Sequence, residues 1–124
     1  FSYNVCYIKV AVETEDAGLC EKITDTGDKI LNKEWHKNWC YSDVALKTKD
    51  SGLCEKITES VKKDKCYSDI ALEIKDAALC EKVIDSVRKD GCYFTVAIET
   101  KDRNLCGKIT NSVFRERCYT YISR

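Results

Sequence analysis

The residues of this chain best suited to chemistry are its nine cysteines: Cys6, Cys20, Cys40, Cys54, Cys66, Cys80, Cys92, Cys106 and Cys118. Thiolates bind metals, exchange disulfides or cross-link a fold, and their spacing separates these uses. Zinc sites draw on cysteine pairs two to four residues apart, whereas no two cysteines here are closer than 12 residues. No Cys-x-x-Cys-His marks a haem, so neither a metal nor any other cofactor is expected. Thiol redox catalysis is unsupported as well. From Cys40 onward the gaps run 14, 12, 14, 12, 14 and 12 residues. Regular cysteines in a small chain favour structural disulfides and an extracellular, oxidising setting, so the protein is expected to be secreted. A hyperthermophile cytosol stays open as a second setting, because Gln and Met are absent while Lys and Glu abound.

The other chemical candidates are weaker. His36 is the only histidine and sits in the charged run Lys33-Glu34-Trp35-His36-Lys37. A solvated surface histidine is expected there, not a catalytic one. Serines and carboxylates fall at helix caps and on polar faces. No catalytic constellation emerges, and no enzyme is expected. Asn4-Val-Cys, Asn38-Trp-Cys and Asn104-Leu-Cys fit only the rare form of the glycosylation pattern, and Asn-x-Ser/Thr does not occur.

The elements that must position the cysteines repeat every 26 residues, the mark of an array of small units. Cys40-Tyr-Ser-Asp-Val-Ala returns as Cys66-Tyr-Ser-Asp-Ile-Ala and Cys92-Tyr-Phe-Thr-Val-Ala. Each unit reads as two helices, A and B. Helix A is expected to start at a serine cap (Ser60, Ser86, Ser112) and to end with Lys49, Lys75 or Lys101 in its last turn, where a cation complements the helix dipole. Asp16, Asp50, Asp76 and Asp102 cap a short helix B carrying Leu53, Cys54 and Ile57 or their equivalents. Cys66, Ile70 and Ile74, widened by Tyr67 and Ala71, form one apolar stripe of helix A, while Val61 and Leu72 lie on the far side. Two apolar faces imply a helix sandwiched between neighbours. Ala11, Ala45, Ala71 and Ala97 recur where a small side chain lets helices approach closely. The first unit is longer: Cys6 to Cys40 spans 34 residues, and Thr26–Glu34 lengthens either the turn or both flanking helices.

Helix register decides the pairing of the cysteines. Cys40 lies ten residues before the cap Asp50, about 15 Å of helical rise, and Cys54 four after it, about 6 Å, which leaves the two out of register. Cys54 and Cys66 each lie six residues from Ser60 and face each other across the B–A turn. Axes ~8–10 Å apart then bring facing Cα atoms within reach of a disulfide. The expected bridges are Cys54–Cys66, Cys80–Cys92, Cys106–Cys118 and, across the longer turn, Cys20–Cys40. Cys6 is left over, as a free buried thiol or an intermolecular link.

The whole reads as one all-α repeat domain over residues 1–124: a right-handed superhelix, or α-solenoid, of stacked helical hairpins, about nine helices stapled by disulfides. Its units are 6–39, 40–65, 66–91, 92–117 and a partial 118–124. This arrangement resembles α-solenoids such as tetratricopeptide or Sel1-like repeats over the whole chain. The 26-residue unit is shorter than theirs and lacks the tetratricopeptide Trp…Leu-Gly…Tyr pattern, so no ligand-binding residue carries over.

Composition limits the partners. Twenty-one basic and 21 acidic residues cancel, which gives no electrostatic case for nucleic acid or an anionic membrane. No apolar run approaches the ~18 residues of a membrane span. The chain begins at Phe1 and contains no methionine, as a processed chain or a fragment would. By unit the charge alternates: −2 over 6–39 (5 basic, 7 acidic), +1 over 40–65 (6, 5), −2 over 66–91 (4, 6) and +2 over 92–117 (5, 3).

Two non-enzymatic functions follow. The first is a secreted structural protein that self-assembles end to end into a filament or surface coat, through Phe1, Tyr3 and Val5 at one end and Tyr119, Tyr121 and Ile122 at the other. The second is a soluble solenoid module that binds a peptide or protein, with Trp35 and Trp39 as anchors; these two also read as a cover for the longer hairpin. Tyr7, Tyr41, Tyr67, Tyr93 and Tyr119 form a ladder that packs beside the disulfides or presents a stacked binding surface.

Overall fold

The computed structural model describes residues 3–123, in which nine helical segments and no strand occur. The order is α1 (Tyr3–Thr14), η1 (Ala17–Lys22), α2 (Lys33–Thr48), η2 (Ser51–Lys56), α3 (Ser60–Ile74), η3 (Ala77–Lys82), α4 (Ser86–Thr100), α5 (Arg103–Cys106) and α6 (Ser112–Ser123), where η marks a 3₁₀ segment. Long and short helices alternate as the repeat requires. Three of the four short ones are 3₁₀ turns of six residues, tighter than the expected helix B. Short 3₁₀ runs suit connectors, and the fourth short segment, α5, is a single α-turn of four residues. Ile23, Ile57 and Val83 follow these turns in extended backbone and are buried.

The caps explain where each element starts and stops. Asp16, Asp50, Asp76 and Asp102 each accept the backbone N–H two residues on, from Gly18, Gly52, Ala78 and Asn104. The caps of α3, α4 and α6 lie one residue before the serines. Asn32, Asp85 and Asn111 accept the N–H three residues on, and Glu59 accepts those of Val61 and Lys62. The backbone carbonyls of all four accept the first intrahelical bond, so Ser60, Ser86 and Ser112 are first helical residues, not caps. At the other end Lys49, Lys75 and Lys101, with Glu15, lie beyond the last turn in the left-handed region, at φ 56–59°. The following aspartate N–H reaches back to the carbonyls of Ala11, Ala45, Ala71 and Ala97. These lysines therefore serve as stops in a Schellman-type turn, a place usually given to glycine.

The insertion lengthens the turn and leaves both flanking helices alone. Residues 23–32 form a loop folded around Asp28, whose carboxylate accepts the N–H groups of Ile30 and Leu31 at 2.7 and 2.9 Å. Hydrogen bonds from Leu31 and then Ile30 hold the Asp28 carboxyl below its ordinary pKa.

The chain divides into two compact units, Phe1–Cys66 and Tyr67–Arg124. In the first, α1 packs on α2 and η1, and α2 packs on both η1 and η2. Its core is Ile8, Ala11, Cys20, Ile23, Cys40, Tyr41, Val44, Ala45, Cys54, Ile57 and Cys66. In the second, α4 packs on η3, α5 and α6, around Cys80, Val83, Cys92, Tyr93, Val96, Ala97, Cys106, Ile109 and Cys118. Full burial of a valine or isoleucine is worth about 1.5–3 kcal/mol. The alanines are completely buried, as close helix approach demands. Helix α3 departs from the expected two-faced burial. Cys66, Tyr67, Ile70 and Ala71 are buried, but Val61, Leu72 and Ile74 are 37–43% exposed. The far side, Val61 and Leu72, is open rather than sandwiched, and Ile74, expected in the buried stripe, is exposed as the last residue of the helix.

Candidate functional site

The cystines occupy the centre of each hairpin. Cys20–Cys40, Cys54–Cys66, Cys80–Cys92 and Cys106–Cys118 are closed, with Cα atoms 5.6–5.7 Å apart. All eight sulfurs belong to residues at most 3% exposed, so these bridges are structural, with no face for exchange. Cys6 is free and exposed, which overturns the buried-thiol reading.

A second repeated device lies two residues before Cys6, Cys40 and Cys92. Asn4 accepts the Thr24 N–H at 2.9 Å and donates to the Thr24 carbonyl at 2.7 Å. Asn38 accepts the Thr58 N–H at 3.0 Å and donates to its hydroxyl at 3.1 Å. Asp90 accepts the Thr110 N–H and hydroxyl, both at 2.8 Å, and the Asn111 N–H at 3.0 Å. Each clasp ties helix A to the strand-like segment 20 residues on, satisfying backbone groups that burial would otherwise leave bare. Burial pushes the Asp90 carboxyl up, but the bonds from Thr110 and Asn111 and the charge of Arg115 outweigh it, and the group stays below its ordinary pKa. Sequence reasoning missed these clasps. The available signal was a polar residue (Asn4, Asn38, Asp64, Asp90) at a fixed offset beside the apolar stripe. Asn4 and Asn38 are 1% and 3% exposed with their amides engaged, which closes both to a glycan.

Trp35, His36 and Trp39 form one cluster at the start of α2. The indoles meet edge to face at 5.4 Å, and the imidazole lies 5.1 Å from one and 6.2 Å from the other. Lys62 Nζ sits 5.5 Å from the Trp35 ring, and Trp39 Nε1–H donates to Asp43 at 2.8 Å. His36 is 5% exposed, not solvated; its Nδ1 lies 2.9 Å from the Asn32 carbonyl, which can only accept, so Nδ1 carries the proton. The charged neighbours in sequence concealed this burial, because i and i+4 indoles fold over the ring between them. Tyr41, Tyr67 and Tyr93 are 2–4% exposed and are packing, not a stacked binding surface, while Tyr7 and Tyr119 at the ends of the ladder are half-buried.

The expected end residues divide unevenly. Phe1 lies outside the described residues. Tyr3 is 82% exposed and Val5 half-buried. Val10 is 40% exposed, although its register equivalents Val44 and Val96 are 0% and 1% exposed. On α6, Tyr119 and Ile122 are half-buried, and the Arg103 guanidinium lies 5.1 Å over the Tyr119 ring. Tyr121 is 56% exposed and meets Phe94 edge to face at 6.1 Å.

Concave surfaces occur in both units. Between α4 and α6 an apolar groove of about 470 Å³ runs past Gly91, Phe94, Ile98, Phe114 and Tyr121, with Arg117 on its wall. The register-equivalent groove between α1 and α2 holds about 270 Å³, with Val5 and Trp39 in the places of Gly91 and Arg117. The outer face of α6 carries a shallow hollow of about 610 Å³ beside Val113, Glu116 and Thr120. Among the described residues no three His, Cys, Asp or Glu side chains are grouped to hold a metal ion, and no helix is long and apolar enough to cross a membrane. No protein-family model, curated protein or solved structure matches the chain.

Proposed function

We propose that the protein is a secreted, non-enzymatic structural repeat protein that assembles head to tail, its hairpins continuing as a right-handed solenoid. The observation that carries this reading is Val10. The face of helix A that Val44 and Val96 bury is open on α1, where Tyr3, Cys6 and Val10 are all exposed. The repeat itself indicates the occupant. Helix A already packs on a preceding helix A within this chain, as α2 does on α1, and α6 presents an outer face of the same lineage. A second copy offering α6 to α1 extends that packing. The contact is heterologous and does not close on itself, which gives filaments. Four buried disulfides are compatible with an oxidising, extracellular location. The tetratricopeptide-like relationship remains part of this proposal. Trp35 and Trp39 are engaged with each other, His36 and Asp43, so they do not favour the peptide-binding reading.

Sedimentation velocity over a range of concentrations tests the assembly. Wild type and Cys6→Ser gain mass with concentration, and Val10→Asp remains monomeric. A monomer at every concentration for both wild type and Cys6→Ser refutes self-assembly. Growth undiminished in Val10→Asp refutes the α1 contact.

A further inference from the structure

We propose that the groove between α4 and α6 is a binding site for a small amphipathic carboxylate, its apolar body lying between Phe94, Ile98, Phe114 and Tyr121 and its anionic group on Arg117. This goes beyond self-assembly, although Arg117 and Tyr121 also border the outer face of α6. Three observations converge. The groove holds about 470 Å³ and its lining is mainly apolar. That volume falls within the range of small-ligand sites, about 300–1,000 Å³.

The second observation is Gly91. Glycine weakens a helix interior, since it gives up the most conformational freedom on folding. Gly91 stands inside α4, yet a Cβ added there meets nothing within 4 Å, and its φ is not positive. The fold therefore makes no demand for glycine at this position. The open groove does: the equivalent groove, with Val5 and Trp39 in the places of Gly91 and Arg117, holds about 270 Å³. The third is charge. Asp90 also borders the groove, but Thr110 and Asn111 occupy its carboxylate. Arg117 is the remaining charged side chain of the lining, and its guanidinium has no ion pair among the described residues. A cation on the wall of an apolar groove selects a ligand with one acidic group over its neutral analogue.

The test uses the full oxidised chain with 1-anilinonaphthalene-8-sulfonate as fluorescent probe, octanoate as competitor and octanol as neutral analogue. Probe emission rises on mixing with native protein and octanoate reverses it. Gly91→Leu fills the groove and weakens both ligands at least tenfold, with no drop in melting temperature. Arg117→Gln weakens octanoate about tenfold and leaves octanol unchanged, a charge selectivity that does not depend on how Gly91→Leu folds. Failure of octanoate to bind native protein overturns the proposal. So does wild-type affinity in Gly91→Leu, equal weakening of octanoate and octanol in Arg117→Gln, or displacement of the probe by an acidic apolar peptide but not by octanoate.

Discussion

At the scale of single residues, the chain carries local costs that substitution can expose. Lys75 sits at φ 57° after α3, where a side chain crowds the following carbonyl. The left-handed conformation costs a non-glycine residue about 1–2 kcal/mol, and glycine returns part of the gain as unfolded-state entropy. Lys75→Gly is expected to stabilise the fold by about 1 kcal/mol, read as a higher midpoint in chemical denaturation; an unchanged or lower midpoint contradicts the strain argument. Asp90 provides a pH signature. Its folded pKa is depressed below the ordinary 3.8, so its contribution is full above that value and fades as pH falls through the lower folded pKa. Asp90→Asn can still accept the Thr110 N–H, as Asn38 does that of Thr58, but turns its amide N–H₂ toward the Asn111 N–H, which needs an acceptor. It is expected to lower stability by about 1–3 kcal/mol at pH 7, with the gap to wild type narrowing below about pH 3.8. A gap constant from pH 7 to pH 2 in parallel melts would rule out the charged clasp. The strain was not legible in the sequence, and the clasp was legible only as a polar residue at a fixed offset. Lys75 reads equally well as the last helical residue, and the clasp partners stand 20 residues apart.

At the scale of elements, the repeat made the hairpins legible because two cysteines equidistant from a B–A turn must meet. Cys54 and Cys66 meet even though the cap lies at Glu59 and not at Ser60, which leaves them five residues before it and seven after it instead of six on each side. The cap itself was ambiguous: Glu59, Asp85 and Asn111 precede the serines directly, and either side chain can reach a free N–H. The type of the short helices was hidden for a different reason. A six-residue segment has too few positions for periodicity to separate a 3₁₀ turn from an α-helix. Loop closure ranks the bridges. Cys20–Cys40 spans 20 residues and Cys54–Cys66 spans 12. On the chain-entropy view each contributes about 3 kcal/mol, and the longer loop about 0.5 kcal/mol more. The pair Cys54→Ala and Cys66→Ala is therefore expected to lower unfolding free energy by about 2–4 kcal/mol, and Cys20→Ala with Cys40→Ala slightly further. Urea midpoints within experimental error of wild type for either pair would show that packing alone holds the hairpins.

At the scale of the whole molecule, polarity is what separates the proposed assembly from a simple dimer. A head-to-tail contact uses two different surfaces, the open face of α1 and the outer face of α6, so one substitution disables one end only. Val10→Asp places a charge in the α1 contact and leaves Val113, Glu116 and Thr120 of α6 untouched. Such a chain still docks its α6 on the α1 face of a wild-type subunit, but then offers no face for the next. Mixed at about one part in ten with wild type, it is expected to shorten the assemblies severalfold, because each variant caps a growing end. In an isologous α1–α1 dimer the variant would instead be left out, and the wild-type mass would not change. Cysteine chemistry gives the same distinction. Head-to-tail packing sets Cys6 beside a helix whose only cysteine, Cys118, is already bonded to Cys106, and keeps two Cys6 thiols apart. Charge favours the polar arrangement, since residues 6–39 carry −2 and residues 92–117 carry +2. Salt should accordingly weaken growth a few-fold between about 0.05 and 0.5 M, as exposed charges are screened, without abolishing a contact centred on Val10. Light scattering of the mixtures measures both effects. Assemblies that ignore added Val10→Asp, or a Cys6-linked dimer on a non-reducing gel as the main species, would replace the filament with a two-fold dimer.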